Sequence, residues 1–454
     1  MPADRNRRST LVRLLSIAFP MVVSQASDTI MLFVDRLLLS RLGEAYLAAS
    51  MSGGLTQFMV SSFFIGTVGY ITAIVAQYYG AKRFDMCAKA AFQAVLLALM
   101  SYPVLLGISP LIRYFFMLAG HSAEQVRLGY TYFQTLIFGS VFLVLRFALG
   151  GFFIGIGRTT VVMIANFAGV LINVPVNYIL IFGKLGFPAL GLRGAAIGTI
   201  TGNFVIFLIL FVFYLRGKNR SDFQTHTAFS FHRQIFVKLV RFGIPAGIER
   251  SLGVTAFNIL VQFMHSYGTN VAAPTTTAFN WDIVAFIPMI GMGHATTALV
   301  GQNVGAGDFD EGRKATYSAL RVAWVYSFSM VFLFVFGSRM LVGVFASGFE
   351  GDTGAITSIA TTMIRLASIY TLADSAQLVF TGALRGAGDT RWIMRMSVSI
   401  HWAFAILAVV FIRLVQVPPV IGWSLLILFV ISLGIAMFLR FRGGKWKTIE
   451  LIKR

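Results

Sequence analysis

The sequence predicts an all-α integral membrane protein with twelve transmembrane helices in two pseudo-symmetric six-helix lobes. Three observations carry that prediction: the composition, a set of long uncharged runs, and an internal duplication. Of 454 residues, 57% are hydrophobic and only 12% charged, against roughly 25% charged in soluble domains. So few charges cannot clothe a soluble surface of this size. Uncharged runs at 51–81, 90–112, 159–183, 194–215 and 414–439 are each long enough to cross a hydrocarbon core of ~30 Å, which takes about 20 helical residues. The duplication is explicit. Val75-Ala-Gln77-Tyr-Tyr-Gly80-Ala81-Lys-Arg-Phe84-Asp85 returns 225 positions later as Val300-Gly-Gln302-Asn-Val-Gly305-Ala306-Gly-Asp-Phe309-Asp310, with six identities. Pro20 and Pro245 keep the same offset, and Gly151-x3-Gly155-x-Gly157-x-Thr159 returns at Gly382 with an offset of 231.

With the weaker segments included, spans fall near 14–38, 51–79, 90–110, 128–150, 160–182, 195–215, 241–264, 275–300, 317–337, 358–382, 393–412 and 420–439. They are long apolar runs without strand-like alternation, hence helices rather than barrel strands. This divides the chain into an N-lobe at 1–218 (helices 1–6), a polar cytoplasmic linker at 219–240 and a C-lobe at 241–454 (helices 7–12). The first span follows a basic start, as a signal peptide does. It is too long for one, carries Asp28 and Asp35, and lacks a small-residue cleavage site, so it reads as a helix of the mature protein.

The net charge of +20 raises a nucleic-acid reading, and its placement removes it. The N-terminus, every second loop and the C-terminus hold 26 of the 37 Lys and Arg, while the opposite loops hold seven. That asymmetry is the positive-inside bias of a multi-pass protein of the cell's inner membrane, with both termini in the cytoplasm. Basic ends such as Arg5-Asn-Arg7-Arg8 are expected to touch anionic lipid. The one cysteine, Cys87, excludes a disulfide within the chain.

No enzyme is visible. There is no Walker A motif, no His-Glu-x-x-His or other metal spacing among six scattered histidines, and no nucleophile–base pair. No cofactor is implied. The paired glycines Gly155/Gly157 and Gly386/Gly388 follow helices rather than strands, so they read as tight turns and not as phosphate cradles.

The informative residues are acids inside spans. A charge at the centre of a span costs at least ~2.5–3.5 kcal/mol, so such groups face cavities, pair with one another or carry function. Asp28, Asp35, Glu249, Asp282 and Asp374 qualify. Asp28 and Asp35 are seven residues apart and share one face of the first span, and Pro20 lets that helix bend. Asn173-x-Pro175-x-Asn177 puts two amides on one helical face beside a proline that frees a carbonyl, so three oxygens can meet a cation. A helix–helix hydrogen bond is the alternative use of those amides. Arg146 and Arg365 read as partners for acids or carbonyls. Aromatics at 14% suit flat organic cations, and membrane proteins with two equivalent halves carry substrate between them.

At this point the chain resembles the multidrug and toxic compound extrusion (MATE) family over roughly its whole length. The resemblance rests on Pro20 with Val34-Asp35 and Gly43, on both Gln-x-x-Gly-Ala blocks, and on Asn173-x-Pro175-x-Asn177-Tyr178. It continues through Gly243-x-Pro245 and Ala373-Asp374-x-x-Gln377 with Gly382-x-Leu384-Arg385-Gly386-x-Gly388-Asp389-Thr390. It implies a monomeric two-lobed antiporter that exports small organic compounds, cationic ones in particular, in exchange for H⁺ or Na⁺. Asp35, Asn173 and Asn177 match an N-lobe cation site, where Na⁺ is one expected occupant, and Asp374 matches the C-lobe acid. Asp28, Glu249, Asp282 and Gln377 are further candidates for coupling or substrate contact. One branch of the family has a glutamate where this chain has Gly253, for which Glu249 is the nearest substitute, and Asp282 matches no family acid. A lipid-linked oligosaccharide flippase of the same architecture is the alternative, but its cavity would be rich in cationic residues, and here acids outnumber them.

Overall fold

The computed structural model describes residues 2–118, 122–267, 269–345 and 353–452. The side chains of Arg5, Arg7, Arg8 and His265 lie outside the described residues. Every regular element described is helical. In chain order they are α1 Pro2–Ser40, α2 Glu44–Gly69, α3 Ile71–Gly80, α4 Phe84–Leu118, α5 Ala123–Phe138, α6 Ser140–Gly155, α7 Thr159–Phe182 and α8 Leu192–Leu215. Then follow α9 Gly217–Asp222, α10 Arg233–His265, α11 Thr269–Gly305, α12 Phe309–Phe336, α13 Ser338–Gly343, α14 Thr353–Ala387, α15 Thr390–Ala408 and α16 Pro419–Arg442.

Among the described residues ten helices, with α2 and α3 joined as one, are long and apolar enough to cross a membrane. The pair α5 and α6, bent by 47°, makes an eleventh. The helix that completes twelve is α10, seventh in chain order, whose 33 residues make it about 50 Å long at 1.5 Å per residue. It carries Arg241, Glu249 and Arg250 and is not among the helices counted as apolar enough to span. Prolines sit inside α1, α4, α7, α10 and α11, which membrane helices tolerate where neighbours satisfy the freed backbone.

The chain forms two compact units. One comprises Phe19–Ser251, Gly305–Gly307 and Leu451–Arg454; the other comprises Met1–Ala18, Leu252–Val304 and Asp308–Glu450. Both α1 and α10 therefore divide their length between units, α1 beside Pro20 and α10 six residues after Pro245. In the second unit the start of α1 is held by Thr10, whose hydroxyl donates to Glu311 at 2.8 Å, and by Arg13, which donates to Gln302 at 2.6 Å. In the first unit the start of α10 packs on α2: a Cβ at Gly243 would stand 2.4 Å from Thr67 O, and one at Gly247 2.4 Å from Phe63 O.

The duplicated motifs have duplicated physical jobs. Lys82 and its counterpart Gly307 both take positive φ, 58° and 82°, to turn the chain between helices, as do Gly157 at 80° and Gly388 at 101°. Gly155 and Gly386 do something else. A Cβ at Gly155 would lie 2.8 Å from Thr72 O, and one at Gly386 2.5 Å from Thr297 O, and Thr72 and Thr297 are again 225 apart. Of each glycine pair, then, the second makes the turn and the first lets two helices touch backbone to backbone, as small residues do in membranes.

The connection at 216–238 is not a loose tether. Phe223 is buried among Tyr79, Phe84 and Phe152, with ring centroids 6.2, 5.7 and 5.4 Å away. Arg158 donates to Asn219 and lies 3.5 Å from Asp222. At the equivalent point of the other unit the polarity is reversed: Asp389 accepts from Arg440 Nε at 2.7 Å.

Candidate cation site

Three helices of the first unit converge on Asp35. The face of α8 toward α7 is a ladder of Gly194, Gly198 and Gly202, where added Cβ atoms would meet Leu180 O at 2.6 Å, Asn177 Oδ1 at 1.7 Å and Asn173 Cβ at 3.2 Å. Without side chains there, α8 comes close enough for its Thr199 to reach into the space between α1 and α7.

Asp35 is 3% exposed, and Asn173 and Asn177 are fully buried. Asn177 Nδ2 donates to Asp35 Oδ1 and, at 3.2 Å, to Asn173 Oδ1. Thr199 Oγ1 donates to Asp35 Oδ2 at 2.7 Å. Among the described residues no ion pair includes Asp35; neutral donors alone hold its two oxygens. Asn177 Oδ1 and Asn173 Nδ2 are buried with no hydrogen-bond partner, a costly arrangement at about 1–3 kcal/mol per group. The cluster thus offers five side-chain oxygens, from Asp35, Asn173, Asn177 and Thr199, as hard cations require. As built, both Asp35 oxygens accept hydrogen bonds, the arrangement of an ionised carboxylate. An Na⁺ there draws the Asn177 oxygen instead of its nitrogen, which half a turn of that amide supplies.

Sequence reasoning named Asp35, Asn173 and Asn177 and missed Thr199. The signal that could have found it is the Gly-x3-Gly-x3-Gly spacing around it, which marks the face of α8 that must touch a neighbour.

The other candidates are distributed differently. Asp28 does not join Asp35; it takes a bidentate pair from Arg146 on α6, at 2.9 and 3.2 Å. In the second unit, Tyr370 on α14 donates to Asp282 on α11 at 2.9 Å. Asp374, one turn after Tyr370, is near enough to Asp282 for their charges to interact. Gln377 donates to Thr381 at 3.3 Å on the same helix. Glu249 belongs to the first unit. Gly253 faces His401, whose Nε2 would lie 3.4 Å from a Cβ there, while His401 Nδ1 bonds Ser397 O at 2.7 Å. Among the described residues no group of three or more His, Cys, Asp or Glu could hold a metal ion.

An all-helical multi-pass chain with a duplicated architecture and polar clusters buried inside its spans defines a membrane transporter rather than an enzyme. The MatE family model matches residues 20–179 and 245–410, one segment per half, and the chain belongs to that family. Among its relatives is a probable multidrug resistance protein NorM of Pasteurella multocida, 27% identical over 396 residues, or 86% of this chain and 83% of that one. The multidrug resistance protein MdtK of Edwardsiella ictaluri is 26% identical over 445 residues, 94% of each chain. Among solved structures, a MATE crystallised with MaL6 superposes with a TM-score of 0.86 at 20% identity, covering 97% of this chain and 98% of that one. The eukaryotic MATE transporter AtDTX14 gives 0.85 at 18% identity, with 97% of each chain covered.

Proposed function

We propose that this transporter exports small organic compounds, cationic ones among them, in exchange for H⁺ or Na⁺ taken up at Asp35. The observation that carries the coupling role is a carboxylate buried in a span with neutral donors only, beside two amides that leave polar atoms unsatisfied. A buried charge without a cationic partner is expensive, so binding a proton or Na⁺ relieves the site, and releasing it restores the strain. Pro20 supports a bending role for α1: it cannot donate to the carbonyl of Ser16, and it lies at the point where α1 passes from one unit to the other. A change at Asp35 can then alter α1 and drive alternating access.

The 26-to-7 split of Lys and Arg supports an inner-membrane location with both termini in the cytoplasm, and the basic ends suit contact with anionic lipid. A monomer holds both duplicated halves and needs no second copy. Asp374 and Asp282 favour cationic substrates through their charge. The multidrug names of the relatives support export of organic compounds and do not favour an oligosaccharide flippase. The test is dye efflux from vesicles under a pH gradient and a Na⁺ gradient imposed separately. Efflux driven by one of them supports the exchange and names the ion; efflux indifferent to both overturns it.

A further inference from the structure

On the first unit a groove of about 270 Å³ lies apart from the Asp35 cluster. It is lined by Phe92 and Val95 of α4, Leu145 and Leu149 of α6, Phe211 of α8, and Phe229 of the 216–238 connection. All its lining groups are aliphatic or aromatic, and Leu99 at its rim is 48% exposed. Its volume is below the about 300–1,000 Å³ typical of sites for drug-sized ligands, so it suits a slender chain rather than transported cargo.

The groove is built, not incidental. Tyr214, at the end of α8, fixes its depth by donating to Ala88 O at 2.9 Å. Phe229 is held over it by an edge-to-face contact with Phe92, centroids 5.2 Å apart. Gln93, fully buried, pins the backbone on either side, donating to Ser230 O at 2.9 Å and accepting from His232 N at 3.1 Å. A polar glutamine is thus spent on placing an apolar lid, and the lid belongs to the connection between the halves.

The charge beside the groove says what enters it. Arg216 and Lys218 follow Tyr214 by two and four residues and are exposed, with exposed Arg220 and Arg233 further along. The acids nearby are already paired, Asp85 with Lys89 at 3.0 Å and Asp222 with Arg158 at 3.5 Å. An apolar slot lined by Tyr214, with exposed basic residues two and four positions further along the chain, complements a molecule with one anionic head and a long hydrocarbon tail. We propose that this groove binds an acyl chain of an anionic phospholipid, with Arg216 and Lys218 holding its headgroup. Occupancy by that lipid ties the 216–238 connection to α4, α6 and α8.

The test reads lipid binding and not transport, so its outcome is independent of the export reading. Cys87 is fully buried, so a bimane label on Leu99→Cys reports the groove rim, and one on Leu171→Cys, on a 63% exposed position of α7, reports bulk lipid. Quenching by brominated phosphatidylglycerol is compared with quenching by brominated phosphatidylcholine in reconstituted bilayers. Each basic residue near the surface contributes about a factor of five, so at Leu99 phosphatidylglycerol is expected to bind about tenfold or more tighter, with no preference at Leu171. Arg216→Ala with Lys218→Ala removes that preference, and Leu149→Trp, which fills the groove, does the same while leaving both basic residues in place. No preference at Leu99, an equal preference at Leu171, or a preference that survives the loss of both charges overturns the proposal.

Discussion

Thr199→Val is the sharpest perturbation of the site, since it swaps a hydroxyl for a methyl of similar size and leaves every other group in place. The lost contact with Asp35 is the 2.7 Å donation from Thr199 Oγ1 to Asp35 Oδ2, and the same hydroxyl's 3.1 Å contact with Ala195 O goes with it. A hydrogen bond to a charged group contributes about 1.5–3 kcal/mol, and the loss falls only on the form of the site in which Asp35 is ionised. At about 1.4 kcal/mol per tenfold, the balance between ionised and neutralised forms moves by roughly 10- to 100-fold. The assay is initial efflux rate from proteoliposomes under the coupling gradient, alongside the melting temperature of the purified protein. The expected result is a rate at least about tenfold lower with melting unchanged, and Thr199→Ser near the parent. Valine at the parental rate, or serine and valine equally impaired, would refute the role of the hydroxyl.

Gly198→Ala puts a methyl 1.7 Å from Asn177 Oδ1 and 3.2 Å from its backbone nitrogen, which ejects that amide from Asp35; coupled efflux falls as far as in Asn177→Ala, and the double variant is no worse than either alone. Gly386→Ala meets the backbone oxygen of Thr297 at 2.5 Å, where no rotamer change helps. Overpacking of about 1–3 kcal/mol is expected as a melting temperature several degrees lower, with Gly155→Ala behaving alike. Asp374→Asn removes an ionisable carboxyl group that lies near Asp282. Export of cationic dyes should fall about tenfold more than that of neutral ones, and uniform loss across both classes would count against a substrate role.

The all-helical membrane fold was legible because bilayer thickness sets run length, and because duplication repeats its landmarks at a fixed offset. The composition rule was less able to see α10: its Arg241, Glu249 and Arg250 dilute the apolar run, so 241–264 counted only among the weaker segments. Asp35, Asn173 and Asn177 were visible because polar groups in apolar runs are costly and because i, i+4 spacing fixes a shared face. Thr199 was not, since a hydroxyl in a helix satisfies itself on its own backbone, and only the approach of α8 along its glycine ladder turns it toward Asp35. The pairing of Asp28 with Arg146 was likewise beyond reach in detail: two residues 118 apart meet through tertiary packing alone. The turn glycines were read correctly at Gly157 and Gly388, whereas Gly155 and Gly386 proved to be helix-contact positions, a difference of role that sequence spacing does not encode.

The central claim is that Asp35 takes up the coupling cation, and Asp35→Asn tests it most directly, because it keeps the shape of the side chain and removes its charge. Purified Asp35→Asn is reconstituted in vesicles, and substrate efflux is followed under the H⁺ or Na⁺ gradient that drives the parent protein. The account predicts a folded protein of parental melting behaviour that still binds substrate and no longer exports it in response to the gradient. Gradient-driven export at the parental rate would contradict it and leave Asp35 as a structural hydrogen-bonding residue.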